Sequence, residues 1–160
     1  GNLILLIVGG NDTTRNSMSA YAYGLSQFPE ERAKLEVDPS LIPNAVSELI
    51  RWQTPLSHMR RTVMEDTEFE GVQMKKGDKV VLWYISANRD ESVFDDPDSI
   101  RFGYGIHRCV GARVAELQLH VLLEEMAKRR LRVDVLEEPE RVPACFVHGY
   151  KKMMVKLENY

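Results

Sequence analysis

A cysteine at the end of a glycine-rich loop is the residue of this chain best placed to do chemistry. Cys109 closes the segment Phe-Gly-Tyr-Gly-Ile-His-Arg-Cys, and a helical pattern of apolar residues follows it. A cysteine just before a helix N-terminus is stabilised as a thiolate by unpaired N–H groups and by the positive end of the helix dipole. Arg108 and Arg113 act in the same direction. A thiolate in this setting is a nucleophile or a metal ligand.

The residue types alone leave other roles for Cys109 open. An inert, buried cysteine after a glycine turn is one, and a cysteine–histidine hydrolase is another. For the second, His107 is only two positions away, and no orienting Asn or Asp stands out. The second cysteine, Cys145, is distant and the chain has no Cys-x-x-Cys pair, so neither a disulfide framework nor a structural zinc site is indicated.

Two further constellations carry polar residues at regular spacing. Gly9-Gly10-Asn11-Asp12-Thr13-Thr14 follows an apolar run, but it lacks both GxGxxG and GxxxxGK[ST], so a phosphate-binding loop is not supported. In a helix, Thr13 can donate to the carbonyl four residues earlier and bend the helix. Glu48 and Arg51 stand at i, i+3, a spacing that allows a salt bridge on one helix face.

Taken together, these motifs resemble the cytochrome P450 family. Phe102–Gly111 fills each position of the pattern Phe-Gly-x-Gly-x-His/Arg-x-Cys-x-Gly, the family's heme loop, and residues 9–13 are similar to its oxygen-activation motif. The resemblance implies that Cys109 is the thiolate ligand of the iron of heme b (iron protoporphyrin IX), and that Glu48 and Arg51 form a structural pair. The residues it assigns to the cofactor are Arg61, Phe102, Gly103, His107, Cys109 and Gly111.

The implied activity is that of a monooxygenase, which inserts one oxygen atom from O2 into a C–H bond. Asp12 and Thr13 are the implied catalytic residues, because they would pass protons to the distal side of the heme. Electrons would come ultimately from NAD(P)H through a ferredoxin reductase and a ferredoxin. Arg61 is preferred over its neighbour Arg60 as a propionate ligand, since alternation in a strand turns only one of them inward.

Longer stretches, such as the first nineteen residues and the segment 51–63, resemble the bacterial soluble alkane-hydroxylase branch. Its substrates are small and hydrophobic, and we expect terminal hydroxylation of medium-chain alkanes or fatty acids in the cytoplasm. The alternatives are a heme-thiolate binding or sensing protein without turnover, a fragment that is inactive alone, and a thiol enzyme or phosphate-binding domain without heme. The predicted substrate pocket consists of Leu5, Val8, Gly9, Leu56, Met59, Phe146 and Val147.

Composition and periodicity set the fold class that must position these residues. At 160 residues, 44% hydrophobic and with a net charge of -3, the chain is at most one ordinary domain with no sign of nucleic-acid binding. Its longest apolar run is too short to span a membrane. The patterns predict a mainly α fold with a small antiparallel β-sheet, which fits the C-terminal part of the cytochrome P450 fold. That part has a long distal helix, a Glu-x-x-Arg helix, the heme-cysteine loop and the helix after the cysteine.

In detail, the periodicity predicts a helix from Leu3 to about Lys34 with an interruption at Gly9-Gly10, and a second helix from Asn44 to Gln53. Strands are expected at residues 59–63, 68–69 and 79–83, and one helical turn near residues 88–90. The resemblance further implies that residues 1–160 are a partial heme domain without its N-terminal portion. It also implies that the segment before residue 102 is about ten residues shorter than is usual in the family.

Overall fold

The computed structural model describes residues 2–102 and 112–160. Within these ranges lie five α-helices and one 3-10 turn, Pro39–Leu41, which joins the second helix to the third. The helices are α1 (Asn2–Gln27), α2 (Pro29–Val37), α3 (Ile42–Gln53), α4 (Tyr84–Ala87) and α5 (Ala112–Lys128). The strands are β1 (His58–Thr62), β2 (Thr67–Phe69), β3 (Val72–Met74), β4 (Lys79–Trp83), β5 (Leu131–Val135), β6 (Glu140–Arg141), β7 (Tyr150–Lys152) and β8 (Val155–Asn159).

The strands of the described ranges form four separate antiparallel ladders, β1 with β4, β2 with β3, β5 with β8 and β6 with β7. The predicted class, mainly α with small antiparallel sheet structure, is therefore confirmed, but the strands do not join into one sheet. Strand β3 was not predicted. It arises because Glu70 and Gly71 both have positive φ, 49° and 77°, the backbone that a tight two-residue hairpin turn requires.

Helix α1 is continuous through Gly9-Gly10, so the predicted interruption there is wrong. Two glycines cost roughly 1 kcal/mol each in a helix interior, and a helix of 26 residues tolerates that cost. The break falls instead at Phe28, because Pro29 follows it and occupies the first turn of α2, where the missing N–H is harmless. The second predicted helix is confirmed as α3, which ends at Gln53, two residues before Pro55.

The hydrophobic core lies where α1, α3 and α5 meet. Leu49 and Ala45 of α3 are fully buried there, together with Leu119 of α5. Gly24 of α1 allows the close approach, since a Cβ at this position would lie 2.8 Å from the Cδ1 atom of Ile100. Ile100 belongs to the segment that leads into the cysteine loop, so this segment packs directly on the core.

Helix α5 has a second apolar face that points away from this core. Leu119 and Leu123 are buried, whereas Val114, Leu117 and Val121 are exposed. Helix α5 ends at Lys128, and the positive charge of this residue suits the negative end of the helix dipole. Among the described residues, no helix combines the length and the apolar character needed to cross a bilayer.

The helical turn predicted near residues 88–90 is wrong by four residues. The short helix is α4, and Asn88 caps its C-terminus with an N–H that donates to the carbonyl of Tyr84. Asp90 instead accepts hydrogen bonds from the N–H and hydroxyl of Ser92. This side-chain turn competes with helix formation.

Leu49→Ala should lower the free energy of unfolding by about 2–5 kcal/mol, because it leaves a cavity in the core at a position with no exposed surface. Val37→Ala is the matched control, since Val37 is exposed and its truncation should change stability by less than about 0.5 kcal/mol. Urea unfolding measures both. Equal effects of the two substitutions would contradict the position of the core.

Candidate active site

The glycine-rich loop is only partly within the described structure. Gly103, His107, Cys109 and Gly111 lie outside the described residues, so their assigned roles stay predictions. Phe102 borders the loop and packs, partly buried, against the core. Helix α5 begins at Ala112, three positions after the cysteine. The two ends of the loop are thus anchored on the core and on α5.

The Glu48–Arg51 pair is buried in α3, with only 1% and 4% of the two side chains exposed. The Nε and Nη2 atoms of Arg51 donate to the two carboxylate oxygens of Glu48, at 2.8 Å each, in a bidentate contact. Such charge-assisted, two-point contacts are among the strong hydrogen bonds of proteins. A pair at this spacing is ordinarily exposed and contributes a few tenths of a kcal/mol. The Glu48–Arg51 pair differs because it is buried.

Arg51 also donates hydrogen bonds to main-chain carbonyls of the segment before the cysteine loop. Its Nη1 atom donates to the carbonyls of Asn88 and Pro97, at 2.7 and 2.8 Å, and its Nη2 atom donates to the carbonyl of Ser99 at 2.8 Å. The N–H of Arg101 donates to the Oε1 atom of Glu48 at 2.9 Å. One buried ion pair therefore fixes four main-chain groups between residues 88 and 101.

Two further contacts join the same segment to the end of α3. The indole N–H of Trp52 donates to the carbonyl of Asp98, and Arg89 donates both to the Asp98 carboxylate and to the carbonyl of Trp52. The side chain of Arg101 contacts Asp96 at 3.6 Å. The main chain of Arg101 therefore joins the ion pair, whereas its guanidinium bonds within the segment.

Thr54 ends α3 in a strained conformation that the sequence did not indicate. Its φ of 44° lies in the left-handed region, which a β-branched residue rarely adopts. Its buried hydroxyl donates to the carbonyl of Arg51 and accepts from the side-chain amide of Asn88. Strain of this kind persists where surrounding contacts over-determine it, and it concentrates at functional sites.

The motif at the glycine pair lies in the first half of α1. The hydroxyl of Thr13 donates to the carbonyl of Gly9 at 2.7 Å, which is the back-bond that the sequence indicated. A Cβ added at Gly9 or Gly10 would meet no heavy atom of the described chain within 4 Å, apart from its chain neighbours and the nearby backbone of α1 itself. Asp12 is partly exposed and accepts from Arg15 at 3.3 Å. This stretch of α1 therefore presents an open backbone surface beside a hydroxyl and a carboxylate.

Arg60 and Arg61 lie in β1, opposite Val81 and Val80 of β4. Both arginines are exposed, so burial does not select one of them as the inward-facing residue. Arg61 donates to the carbonyl of Arg60 at 3.1 Å. The preference for Arg61 as a propionate ligand stays a prediction.

Four of the predicted pocket residues come together at one edge of the fold. Leu56 and Val147 form an isolated antiparallel bridge, and the N–H of Ser57 donates to the carbonyl of Phe146 at 3.0 Å. Met59 follows in β1, one residue after His58, whose ring packs edge-on against Phe146 with centroids 5.6 Å apart. Leu5 and Val8 belong to α1 by their backbone, and their side chains lie outside the described part of the chain.

A buried polar network that the sequence did not indicate lies behind this edge. The side-chain amide of Gln53 donates to the carbonyl of His148 at 2.6 Å and accepts from the hydroxyl of Tyr150 at 2.8 Å. The Nδ1 atom of His148 lies 2.7 Å from the main-chain carbonyl of Gln53. The partners are about 95 positions apart in sequence, so no local spacing could have signalled the network.

The network fixes the tautomer of His148. Since the partner of Nδ1 is a carbonyl oxygen, Nδ1 carries the proton, and Nε2 is left to accept from Arg141 at 3.2 Å. Burial lowers the pKa of His148 below its ordinary value of 6.5, and the positive charges of Arg141 and Arg89 lower it further. The hydrogen bond to Gln53 acts in the opposite direction without reversing the shift.

Comparison with known proteins decides the family. Residues 2–101 match the family model described as Cytochrome P450. The chain is also 46% identical to linalool 8-monooxygenase of Pseudomonas putida over 98% of its own length. The chain belongs to the cytochrome P450 family. The resemblance inferred from the motifs is thereby confirmed, including the bacterial alkane-hydroxylase-like branch.

Solved cytochrome P450 structures agree with the fold. The chain is similar to CYP153D17 from Sphingomonas sp. PAMC 26605, with 68% identity and a TM-score of 0.92 over 99% of this chain. It is also similar to Cytochrome P450-153 from Novosphingobium aromaticivorans, with 61% identity and a TM-score of 0.90. A methyl-branched lipid omega-hydroxylase of Mycobacterium tuberculosis is 42% identical over 95% of this chain.

The chain spans about two fifths of these cytochromes P450, 41% of linalool 8-monooxygenase and 42% of CYP153D17. The comparison with linalool 8-monooxygenase extends over 167 positions, seven more than the 160 residues of the chain. That relative therefore contains residues with no counterpart here. A shortened segment before Phe102 is one place for such a difference, and it stays a prediction.

The described residues fit the heme that the cytochrome P450 family implies. The open backbone surface at Gly9-Gly10 allows the close approach of a flat group. An exposed guanidinium, such as that of Arg61, can make a charge-assisted contact to a propionate. Among the described residues, no cluster of three histidine, cysteine, aspartate or glutamate side chains competes as a metal site.

Glu48→Gln should lower the free energy of unfolding by about 3–5 kcal/mol, because it leaves the guanidinium of Arg51 as a buried charge without its carboxylate. Glu31→Gln is the matched control. Glu31 pairs with Lys34 at the same i, i+3 spacing, but that lysine is exposed, so the loss should be at most about 0.5 kcal/mol. Urea unfolding separates the two, and similar losses would contradict the structural role of the buried pair.

His148→Asn should flatten the pH dependence of stability as the pH falls below about 6.5, the ordinary pKa of histidine. In the wild type the folded state favours neutral His148, so unfolding takes up a proton. Its contribution is fully present above the unfolded pKa of 6.5 and is lost as the pH falls through the lower folded-state pKa. Unfolding free energies measured across this range test the prediction. Identical slopes for wild type and variant would show that His148 does not titrate with folding.

Proposed function

We propose that the protein containing this chain is a heme-thiolate monooxygenase that hydroxylates the terminal carbon of medium-chain alkanes or fatty acids. The observation that carries the reaction type is the open backbone surface of α1, where Gly9 and Gly10 adjoin Asp12 and Thr13. This arrangement offers both a place for a small molecule and groups that can move a proton. A protein that only binds heme has no need of proton-transferring groups.

Heme, when bound, supplies the reductive activation of O2, and a cysteine thiolate on its iron favours cleavage of the O–O bond. In the proposal Cys109 provides that ligand, with Gly103 and Gly111 allowing close approach and Phe102 packing beside the ring. Arg61 and His107 would hold the propionates. Glu48 and Arg51 act at a distance, by fixing the main chain that leads into the loop.

Asp12 and Thr13 are the residues we assign to proton delivery. Asp12 is partly exposed and accepts from Arg15, so its carboxylate can connect the site to solvent. The hydroxyl of Thr13 donates its hydrogen bond to the carbonyl of Gly9. The lone pairs of the hydroxyl oxygen therefore remain able to accept a hydrogen bond from another group. A side chain positioned to transfer a proton contributes about 100-fold to 10,000-fold to a reaction that needs protons.

Two observations support the proposed substrate class: an apolar surface at one edge of the fold, and the names of related enzymes. The edge formed by Leu56, Met59, Phe146 and Val147 is apolar, as an alkyl chain requires. One relative is named linalool 8-monooxygenase, and another is named for the omega-hydroxylation of methyl-branched lipids. We therefore favour a chain-like substrate that presents its end to the heme.

We also propose an electron supply and a cellular location for the enzyme. Electrons pass from NAD(P)H to a ferredoxin reductase and then to a ferredoxin, which delivers them one at a time. We place the enzyme in the cytoplasm, together with these carriers.

The test is turnover by the full-length protein with ferredoxin, its reductase and NAD(P)H, over a series of alkanes and fatty acids of increasing chain length. The expected products are terminal alcohols, with the highest rates at medium chain length. A reduced, CO-treated sample that shows the absorption band from which the family takes its name, but forms no alcohol from any substrate, would favour a heme-binding or sensing protein instead.

Thr13→Ala should lower the amount of alcohol formed per NAD(P)H oxidised by about tenfold or more, while oxidation of NAD(P)H continues. Thr13→Ser keeps the hydroxyl and should retain most of the yield. Ser19→Ala is the matched control, because it removes the same kind of back-bond in α1, from Ser19 to the carbonyl of Arg15. Equal yields from Thr13→Ala and wild type would contradict the proton-delivery role.

A further inference from the structure

The loop that carries Phe146 and Val147 connects β6 to β7 and is fastened on its two sides by different means. On the side of β1 the contacts are to the main chain. The N–H of Ser57 donates to the carbonyl of Phe146, and the N–H of His148 donates to the carbonyl of Pro55, at 3.0 Å each. The buried hydroxyl of Ser57 also lies within hydrogen-bond distance of the carbonyls of Cys145 and Phe146, and its one proton donates to either of them.

On the side of α3 the loop is fastened by side chains. Gln53, His148 and Tyr150, which we call the polar seam, share three hydrogen bonds of 2.6–2.8 Å that engage both ends of the Gln53 amide and its main-chain carbonyl. Gln53 and Tyr150 are buried, so each lost bond would leave a polar group without water. The seam is consequently a specific, high-cost connection between α3 and the loop.

Helix α1 closes the polar seam from a third direction. The N–H of Tyr150 donates to the side-chain oxygen of Asn16, at 3.4 Å, and a Cβ on Gly149 would collide with the Asn16 amide. Asn16 is buried and lies one turn after Thr13. The loop is therefore held in register with the same helix that bears the proposed proton-delivery residues.

Phe146 lies two residues before His148 of the polar seam. It is 43% exposed, and its ring makes an edge-to-face contact with His58, which in turn contacts Trp83 with centroids 5.0 Å apart. The remaining surface of the Phe146 ring is exposed in this chain. Because a misplacement of about 1 Å at a reacting centre can cost 100-fold in rate, a chain-like substrate requires such a wall to be held firmly.

We propose that the polar seam of Gln53, His148 and Tyr150 positions Phe146 and thereby determines which carbon of a chain-like substrate is oxidised. This inference rests on the proposed function. Its residues are positioning residues, two to four positions from Phe146 or on the neighbouring helix, and they act on the substrate only through that ring.

The test compares full-length enzymes carrying Tyr150→Phe, His148→Ala, His148→Asn and Phe146→Ala. The readouts are the ratio of terminal to subterminal alcohol from one medium-chain alkane, and the dissociation constant of that alkane from its shift of the heme absorption band. Tyr150→Phe and His148→Ala should lower the product ratio by about fivefold, the effect of one net hydrogen bond. Phe146→Ala should shift it in the same direction.

His148→Asn separates positioning from general loss of structure. The asparagine amide can replace Nδ1 as donor to the carbonyl of Gln53, so this variant should recover most of the wild-type ratio. Tyr160→Phe removes a tyrosine hydroxyl outside the seam, after β8, and should leave both readouts unchanged.

Two results would overturn the inference. One is a wild-type product ratio in both Tyr150→Phe and His148→Ala; the other is a wild-type ratio in Phe146→Ala. If Tyr150→Phe fails to fold, the product ratios of His148→Ala and His148→Asn decide. Equal ratios in these two variants would then overturn the inference. Failure of the proposed function looks different, because the wild type then forms no alcohol, and the dissociation constants of the variants still test whether the seam shapes the pocket.

Discussion

The five N–H groups of Arg51 are the constraint on which the rest of the site depends. A guanidinium has five donors in a rigid plane, and here each one has an acceptor: two go to Glu48 and three go to the carbonyls of Asn88, Pro97 and Ser99. Burying an ion pair costs several kcal/mol per charge, and only full satisfaction of its hydrogen bonds offsets that cost. A lysine, with three donors on a flexible stem, could not reproduce this set.

The last turn of α3 connects that ion pair to the other parts of the site. Arg51 fixes the segment that leads into the cysteine loop, whereas Gln53, two residues later, fixes the loop with Phe146. Thr54, in its left-handed conformation, turns the chain into the segment that bridges to Val147. One short stretch of helix thus positions both the proposed heme side and the proposed substrate side. This explains why strain at Thr54 is tolerated there.

Local patterns predicted what depends on local physics. The helix Asn44–Gln53 and the strand Lys79–Trp83 were predicted to within two residues, because the periodicity of both, the prolines around the helix and the glycine turn before the strand are explicit in the sequence. The interruption at Gly9-Gly10 was wrong because intrinsic propensity is weak against a long helix. The spacing of Glu48 and Arg51 predicted a contact, but its burial and its hold on residues 88–101 depend on how α3 packs.

Contacts between residues that are distant in sequence could not be predicted from local patterns. Nothing near Gln53 indicates His148 or Tyr150, because their partnership arises only when the hairpin of β6 and β7 packs on α3. The exposed face of α5 carries a related lesson. Its apolar spacing is regular, yet only the neighbours present in this chain decide that Leu119 is buried and Leu117 is exposed.

The most direct measurement is the absorption spectrum of reduced, CO-treated full-length protein carrying Arg51→Lys, compared with wild type at equal protein concentration. If Arg51 holds the segment before the cysteine loop, the variant should bind less heme. What heme it binds should lose the thiolate band, because Cys109 is no longer positioned as a ligand. A variant with the heme content and the thiolate band of wild type would contradict the central role assigned to this arginine.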